Sequence, residues 1–197
     1  MVPEIRLHLA EDAVVWWARM QAGAGPELPT PYWASAWIGG QALARYILDH
    51  PDQVSGRRVL DVAAGSGLVA IAAGLAGAAR VTANDIDPNA IRAVAINALA
   101  NGVEIDVIGH DLLDGDGGDA ELVLAGDVFY DQAMTARVVP FLRRVVARGG
   151  RVLLGDPGRA DLPLDLLRVV ATYSAAAAAT FSDAEVSQVH VLELAGL

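Results

Sequence analysis

The residues best able to do chemistry flank one glycine turn. Asp61 precedes Gly65-Ser66-Gly67, and Asp85 follows one helix and one strand later, within Asn84-Asp85-Ile86-Asp87-Pro88. Glycine at 65 and 67 lets the main chain take angles, and approach a ligand, that a Cβ would block. A helix beginning just after such a turn directs its free N–H groups at that ligand. A carboxylate at Asp85 can accept hydrogen bonds from both hydroxyls of a ribose, as in nucleotide-cofactor folds. Two glycines alone say little. Turn, helix and acid in this order point to a cofactor built on a nucleoside.

The elements that must position these residues can be read from hydrophobic spacing. Arg57–Val62 is a strand, Ser66–Leu75 a helix closed by Gly77, Arg80–Asn84 a strand and Pro88–Ala100 a helix. Pro88 suits a first helical position, and Asn101-Gly102 is a helix stop. Glu104–Ile108, Glu121–Ala125 and Arg151–Leu154 are further strands, with a polar Asp114–Asp119 loop and a Gln132–Ala147 helix between them. Ahead of the first strand, Glu11–Gln21 has helical spacing through Val14, Trp17 and Met20. Gly23–Pro31 breaks it, and Ala34–Asp49 is helical again. Past Asp156-Pro157-Gly158, Leu164–Val170 reads as helix, Ala171–Ala179 as helix or strand, and Glu185–Leu194 as strand. Strands alternating with helices predict a Rossmann-like, doubly wound α/β fold of three layers. Its single seven-strand sheet is mostly parallel with an antiparallel edge. One domain over 1–197 is expected, with a helical segment at 1–55 covering a core at 56–197.

Bulk composition narrows the partners. The 197 residues carry a formal charge of −10, which disfavours nucleic acid and fits a cationic partner or plain solubility. No apolar run approaches the ~18 residues of a membrane helix, and no signal pattern opens the chain, so a cytoplasmic protein is expected. With no cysteine there is no thiol nucleophile and no thiolate metal site, and no metal is expected. All 14 basic residues are arginine, an excess that codon bias in a GC-rich, bacterial genome explains.

Arg57–Pro88 resembles the class I, seven-strand S-adenosylmethionine-dependent methyltransferases. Four segments resemble one family among them, the electron transfer flavoprotein β-subunit lysine methyltransferases: PYWASAWIGGQALARYIL at Pro31–Leu48, NDIDP at Asn84–Pro88, GDVFYD at Gly126–Asp131 and GDPGR at Gly155–Arg159. The likeness runs from about Pro31 to Asp161 and is poor before Gly23.

The resemblance implies S-adenosylmethionine as cofactor, S-adenosylhomocysteine as product and a lysine-bearing protein as substrate, the flavoprotein β subunit first. Asp61, Ala63, Gly65 and Gly67 would face the methionine part and Asp85 the ribose, with Ile86 beside it also binding the cofactor. Asp111 and Leu112 would face the adenine, and Trp37 and Gly39 would form a cover. A tryptophan face attracts a positive sulfonium, although Trp33 and Trp37, four apart, can also pack together on one helical face. Asp127 and Tyr130 would stand beside the transferred methyl. A lysine with a pKa of about 10.4 must lose a proton before it attacks. Asp127 would serve there as a base or as an orienting acid, with Tyr130 binding the amine or walling its channel; capping of the following helix is the other role open to Asp127. Ala63 departs from the usual glycine, which bears on cofactor affinity.

The same Asp-Ile-Asp-Pro pattern occurs in methylases of a large-subunit ribosomal protein. Those carry a further N-terminal recognition domain and an Asn-based motif where this chain has GDVFYD. A small-molecule amine N-methyltransferase is a further alternative. An NAD-dependent dehydrogenase would leave Asp61 and GDVFYD unexplained.

Overall fold

The computed structural model describes residues 1–10, 13–23, 30–174 and 188–194. Alternating burial makes the sheet two-sided. In β4 (Leu122–Gly126), Leu122 and Leu124 join one apolar cluster, while Val123 and Ala125 join the other. β1 (Arg58–Val62), β2 (Arg80–Asn84), β3 (Asp106–Ile108) and β5 (Arg151–Asp156) run parallel to it. β6 (Leu167–Ser174) and β7 (Gln188–Leu194) complete seven strands in the order β3-β2-β1-β4-β5-β7-β6. β7 is antiparallel to both of its neighbours. The expected mostly parallel sheet with an antiparallel edge is therefore present.

Helices α2 (Ile38–Asp49) and α3 (Leu68–Leu75), with Val94 of α4 (Pro88–Asn101), pack on one face; α5 (Gln132–Ala147) covers the other through Val138, Phe141, Leu142 and Val145. Helix α1 (Ala13–Gly23) precedes them. The side chains of Val14 and Met20 and residues 11–12, 24–29, 175–187 and 195–197 lie outside the described residues, so the helix start at Glu11–Asp12, most of the Gly23–Pro31 breaker and of Ala171–Ala179, and Glu185–Ser187 do too.

Two local expectations fail. Leu164–Val170 is not a helix: a short 3-10 turn at Leu164–Leu166 leads into β6, which pairs with β7 from Leu167 to Ser174. Val169, Val170, Thr172 and Tyr173 are β-branched or aromatic, and a waiting partner strand satisfies their backbone better than an isolated turn. The helix predicted from Ala34 starts only at Ile38. Trp33 lies in a 3-10 turn, Tyr32–Ala34, and Trp37 is the N-cap of α2, so the two do not share a helical face.

The strand order reverses between β1 and β4. Their carboxyl ends diverge there, and the crevice left between them is where open α/β sheets bind ligands.

Candidate active site

A cavity of about 770 Å³ opens at that switch point, within the range of small-molecule and cofactor sites. Its floor is the turn after β1. Ala63 and Gly65 both have a φ of +54°, a left-handed backbone that alanine tolerates at a penalty of about 1–2 kcal/mol. Gly65 N–H donates to Asp85 Oδ2 at 2.9 Å, and Asp87 N–H to Asp85 Oδ1 at 3.0 Å. The turn after β2 thereby holds the turn after β1, and Asp85 faces the cavity in one orientation. Burial pushes its carboxyl above the usual carboxylate range, although these N–H groups oppose the shift.

Asp61 lines the base of the cavity and is 1% exposed. Its Oδ2 accepts the Ala70 N–H at 2.9 Å. α3 starts after Gly67, which has no side chain to cap it, so Asp61 supplies the missing acceptor from the neighbouring strand. Burial, reinforced by the charge of Asp85, pushes Asp61 up to about 8 against that hydrogen bond. A cation at this spot would restore the ionised form.

The far wall is built by the segment after β4. Asp127 has a φ of +59° and is 8% exposed. Its Oδ2 accepts the Gly40 N–H at 2.7 Å, and its Oδ1 pairs with Arg159 Nη1 at 2.8 Å. Arg159 also reaches Asp156 Oδ2 at 3.1 Å. Burial pushes the Asp127 carboxyl upward, with Arg159 pulling the other way. Burial also disfavours the Arg159 charge, and Asp127 and Asp156 more than offset it. The helix cap of α5 is Asp131, which accepts the Met134 N–H; Asp127 has no such role.

Aromatic rings line the mouth. Tyr130 stacks on Tyr32 with ring centres 5.4 Å apart, and Tyr32 meets Trp37 at 5.6 Å. Trp37 Nε1 donates to the Tyr32 carbonyl at 2.7 Å, which fixes the pair. Burial raises the Tyr130 phenol above its ordinary value, so it stays a neutral donor.

Trp37, Asp61, Ala63, Gly65, Asp85, Ile86, Asp111, Asp127 and Tyr130 thus border one cavity, as expected. Three expected residues do not. Gly39 faces away from it, against the backbone of Gly155, and a Cβ there would sit 2.3 Å from the Gly155 oxygen. Gly40 borders the cavity instead. Gly67, at φ +83°, caps α3 against Val94 of α4. Leu112 packs into the sheet face under α5, and its neighbour Leu113 takes the place by the cavity. Asp111 borders the cavity as an ion pair, with Oδ2 2.6 Å from Arg137 Nη1 and Oδ1 on the Leu113 N–H. Arg137 holds that carboxyl below its usual range.

Sequence reasoning gave no role to Tyr32, Arg137 or Arg159. For Arg159 a signal existed: an arginine three residues beyond Asp156, the acid that ends β5, has the reach to fold back across the strand ends.

Among the described residues, no group of acidic or histidine side chains could hold a metal, and no helix is long and apolar enough to cross a membrane.

The chain is similar to several known proteins. A family model described as Ribosomal protein L11 methyltransferase (PrmA) matches residues 41–151. The electron transfer flavoprotein beta subunit lysine methyltransferase of Rattus norvegicus is 41% identical over 162 residues, 81% of this chain and 62% of that protein. Its homolog in Caenorhabditis elegans is 33% identical over 178 residues, covering 82% and 72%. The crystal structure of a ribosomal protein L11 methylase from Lactobacillus delbrueckii subsp. bulgaricus shares the fold. Its TM-score is 0.59 at 22% identity, over 81% of this chain and 80% of that one. The chain spans 62% of the length of the rat protein.

Proposed function

Because this chain belongs to the electron transfer flavoprotein β-subunit lysine methyltransferase family, on a frame shared with the ribosomal protein L11 methyltransferases, we propose that it methylates lysine side chains of a protein partner. S-adenosylmethionine is the donor, and the electron transfer flavoprotein β subunit is the first substrate to test. The single observation that carries this reading is the convergence of the Gly65 turn, Asp85 and the Asp127–Tyr130 segment on one aromatic-mouthed cavity.

The residues present fit the donor. The Gly65 turn offers open main chain at the floor, Asp85 is preset to accept hydroxyl hydrogen bonds, and Asp61 is a buried acid at the base that a cation would suit. Ile86 and Leu113 offer apolar surface to a purine, and Trp37 and Tyr32 cover the opening. When bound, S-adenosylmethionine supplies an electrophilic methyl group on a positive sulfonium.

What the chain itself must do is align the acceptor, exclude water and admit the amine without its extra proton. The stacked Tyr32 and Tyr130 rings, with Trp37, suit the apolar stem and cationic head of a lysine, since ring faces attract such cations. Asp127 is held at both oxygens, so it serves better as a fixed orienting acceptor than as a mobile base. The match to the ribosomal family model favours a second reading, methylation of ribosomal protein L11.

Radiolabelled S-adenosylmethionine with purified electron transfer flavoprotein should label lysines of the β subunit. Label confined to ribosomal protein L11 would transfer the assignment to that reading. Label only on small amines would remove the protein substrate. Asp127→Ala should leave S-adenosylhomocysteine binding intact while lowering transfer by about 10²-fold or more.

A further inference from the structure

Arg159 carries a charge that the reaction as outlined does not use. It borders the cavity, yet only 15% of its side chain is exposed, and it lies between two buried acids, Asp127 at 2.8 Å and Asp156 at 3.1 Å. Asp156 also accepts the Gly158 and Arg159 N–H groups, which turns the chain after β5 back towards β4. Asp127 in turn grips Gly40 at the start of α2. Two strand-end segments therefore meet at one guanidinium, and the start of α2 is tied to it through Asp127.

Resting on the lysine-methylation reading, we propose that Arg159 is a positioning residue. It locks Asp127 in its orienting pose and keeps the acceptor end of the cavity from trapping the lysine as an ammonium ion.

The effect of Arg159 is electrostatic. The remaining ionisable groups around the cavity are mostly acidic or phenolic: Asp61 from β1, Asp85 and Asp87 after β2, Tyr32, and Tyr130 and Asp131 after β4. Arg137 is committed to Asp111 on the α5 side. An acidic cavity draws a lysine in but also stabilises its protonated, unreactive form. A fixed guanidinium beside Asp127 neutralises the nearest acid and favours the free amine. Both carboxylates meet the same Nη1 of Arg159, and the rigid planar guanidinium fixes that nitrogen more firmly than the flexible stem of a lysine would.

The pH dependence of kcat tests this, measured on whichever protein lysine the wild-type enzyme labels. Arg159→Gln should move the acidic limb of the profile upward by about one pH unit. Loss of the positive charge strengthens the hold on the ammonium; protonation of an unpaired Asp127 would displace the same limb in the same direction. Arg159→Lys keeps the charge, so its limb should stay in place while kcat falls by about tenfold from lost alignment. Calorimetric affinity for S-adenosylhomocysteine should be unchanged in both. A Gln variant whose rate falls uniformly, with the limb where it was, overturns the proposal, as does a Lys variant whose limb moves. Should the Gln variant not fold, the Lys variant decides alone: lower kcat with a fixed limb supports the proposal, and any other profile overturns it. Wild-type protein that methylates no lysine under any condition refutes the underlying reading instead, a result independent of Arg159.

Discussion

Asp61 offers the sharpest test of the site's electrostatics. Its carboxyl is 1% exposed and is pushed from 3.8 up to about 8 by burial and by the charge of Asp85. In the unfolded chain it ionises near its ordinary value. A carboxyl raised on folding contributes stability that is fully present below the unfolded pKa and is lost as pH rises through the folded one. Between about pH 5.5 and 8 the folded protein therefore holds close to one proton more than the unfolded chain at this position. At about 1.4 kcal/mol per unit, less the part already titrated near 8, the loss is about 3 kcal/mol. Asp61→Asn keeps the acceptor for the Ala70 N–H and abolishes the titration. Urea denaturation of both proteins at about pH 5.5 and 8 should show the wild type losing roughly 3 kcal/mol more than the variant over this window. Other raised acids, Asp85 and Asp127, titrate in both proteins and cancel in the difference. Saturating S-adenosylhomocysteine, whose ammonium would face this carboxylate, should flatten the wild-type slope. Equal pH slopes for wild type and Asn variant would refute the reasoning, because the buried acid would then be as ionised in the folded protein as in the unfolded chain.

Other outcomes follow from single contacts. Asp85→Ala removes the acceptor that presets the Gly65 turn and would take the ribose; calorimetry should show S-adenosylhomocysteine binding at least about 30-fold weaker, and unchanged affinity would contradict that role. Ala63→Gly relieves a left-handed alanine but removes a methyl packed under α5, so it should stabilise the protein by only about 0.5–1 kcal/mol in thermal or urea melts; a lower midpoint would show that φ +54° carries little strain. Gly39→Ala would place a Cβ 2.3 Å from the Gly155 carbonyl oxygen, with backbone on both sides unable to yield. A loss of more than about 3 kcal/mol, or failure to fold, is expected, and a near-wild-type melt would show that α2 is not seated against β5 as described.

Much of this was legible from local pattern. Val59, Leu60 and Val62 can only be a buried strand, Gly65 only a turn, and Asp85 falls at the next strand end because the helix between has a set length. Period and turn chemistry act over a few residues, so the αβ alternation, the parallel sheet and the cavity's floor could be written down from the chain. Likeness to a known family added the donor and the Asp127–Tyr130 segment. What stayed hidden depended on partners distant in sequence. The first half of β6, up to Val170, read as helix because only pairing with β7 makes that stretch extended. Gly39 and Gly67 looked like ligand contacts, and only the approach of Gly155 and of Val94 shows that they serve packing. Asp127 read as a base or an orienting acid, and the contacts that hold both of its oxygens come from Arg159 and Gly40, 32 and 87 residues away along the chain. Residue type and spacing determine which groups sit at strand ends, since those follow from backbone geometry. Which of those groups meet, and what charge each retains, is decided only when the sheet brings β1, β4 and β5 side by side, because Coulomb energies and desolvation depend on distances in space.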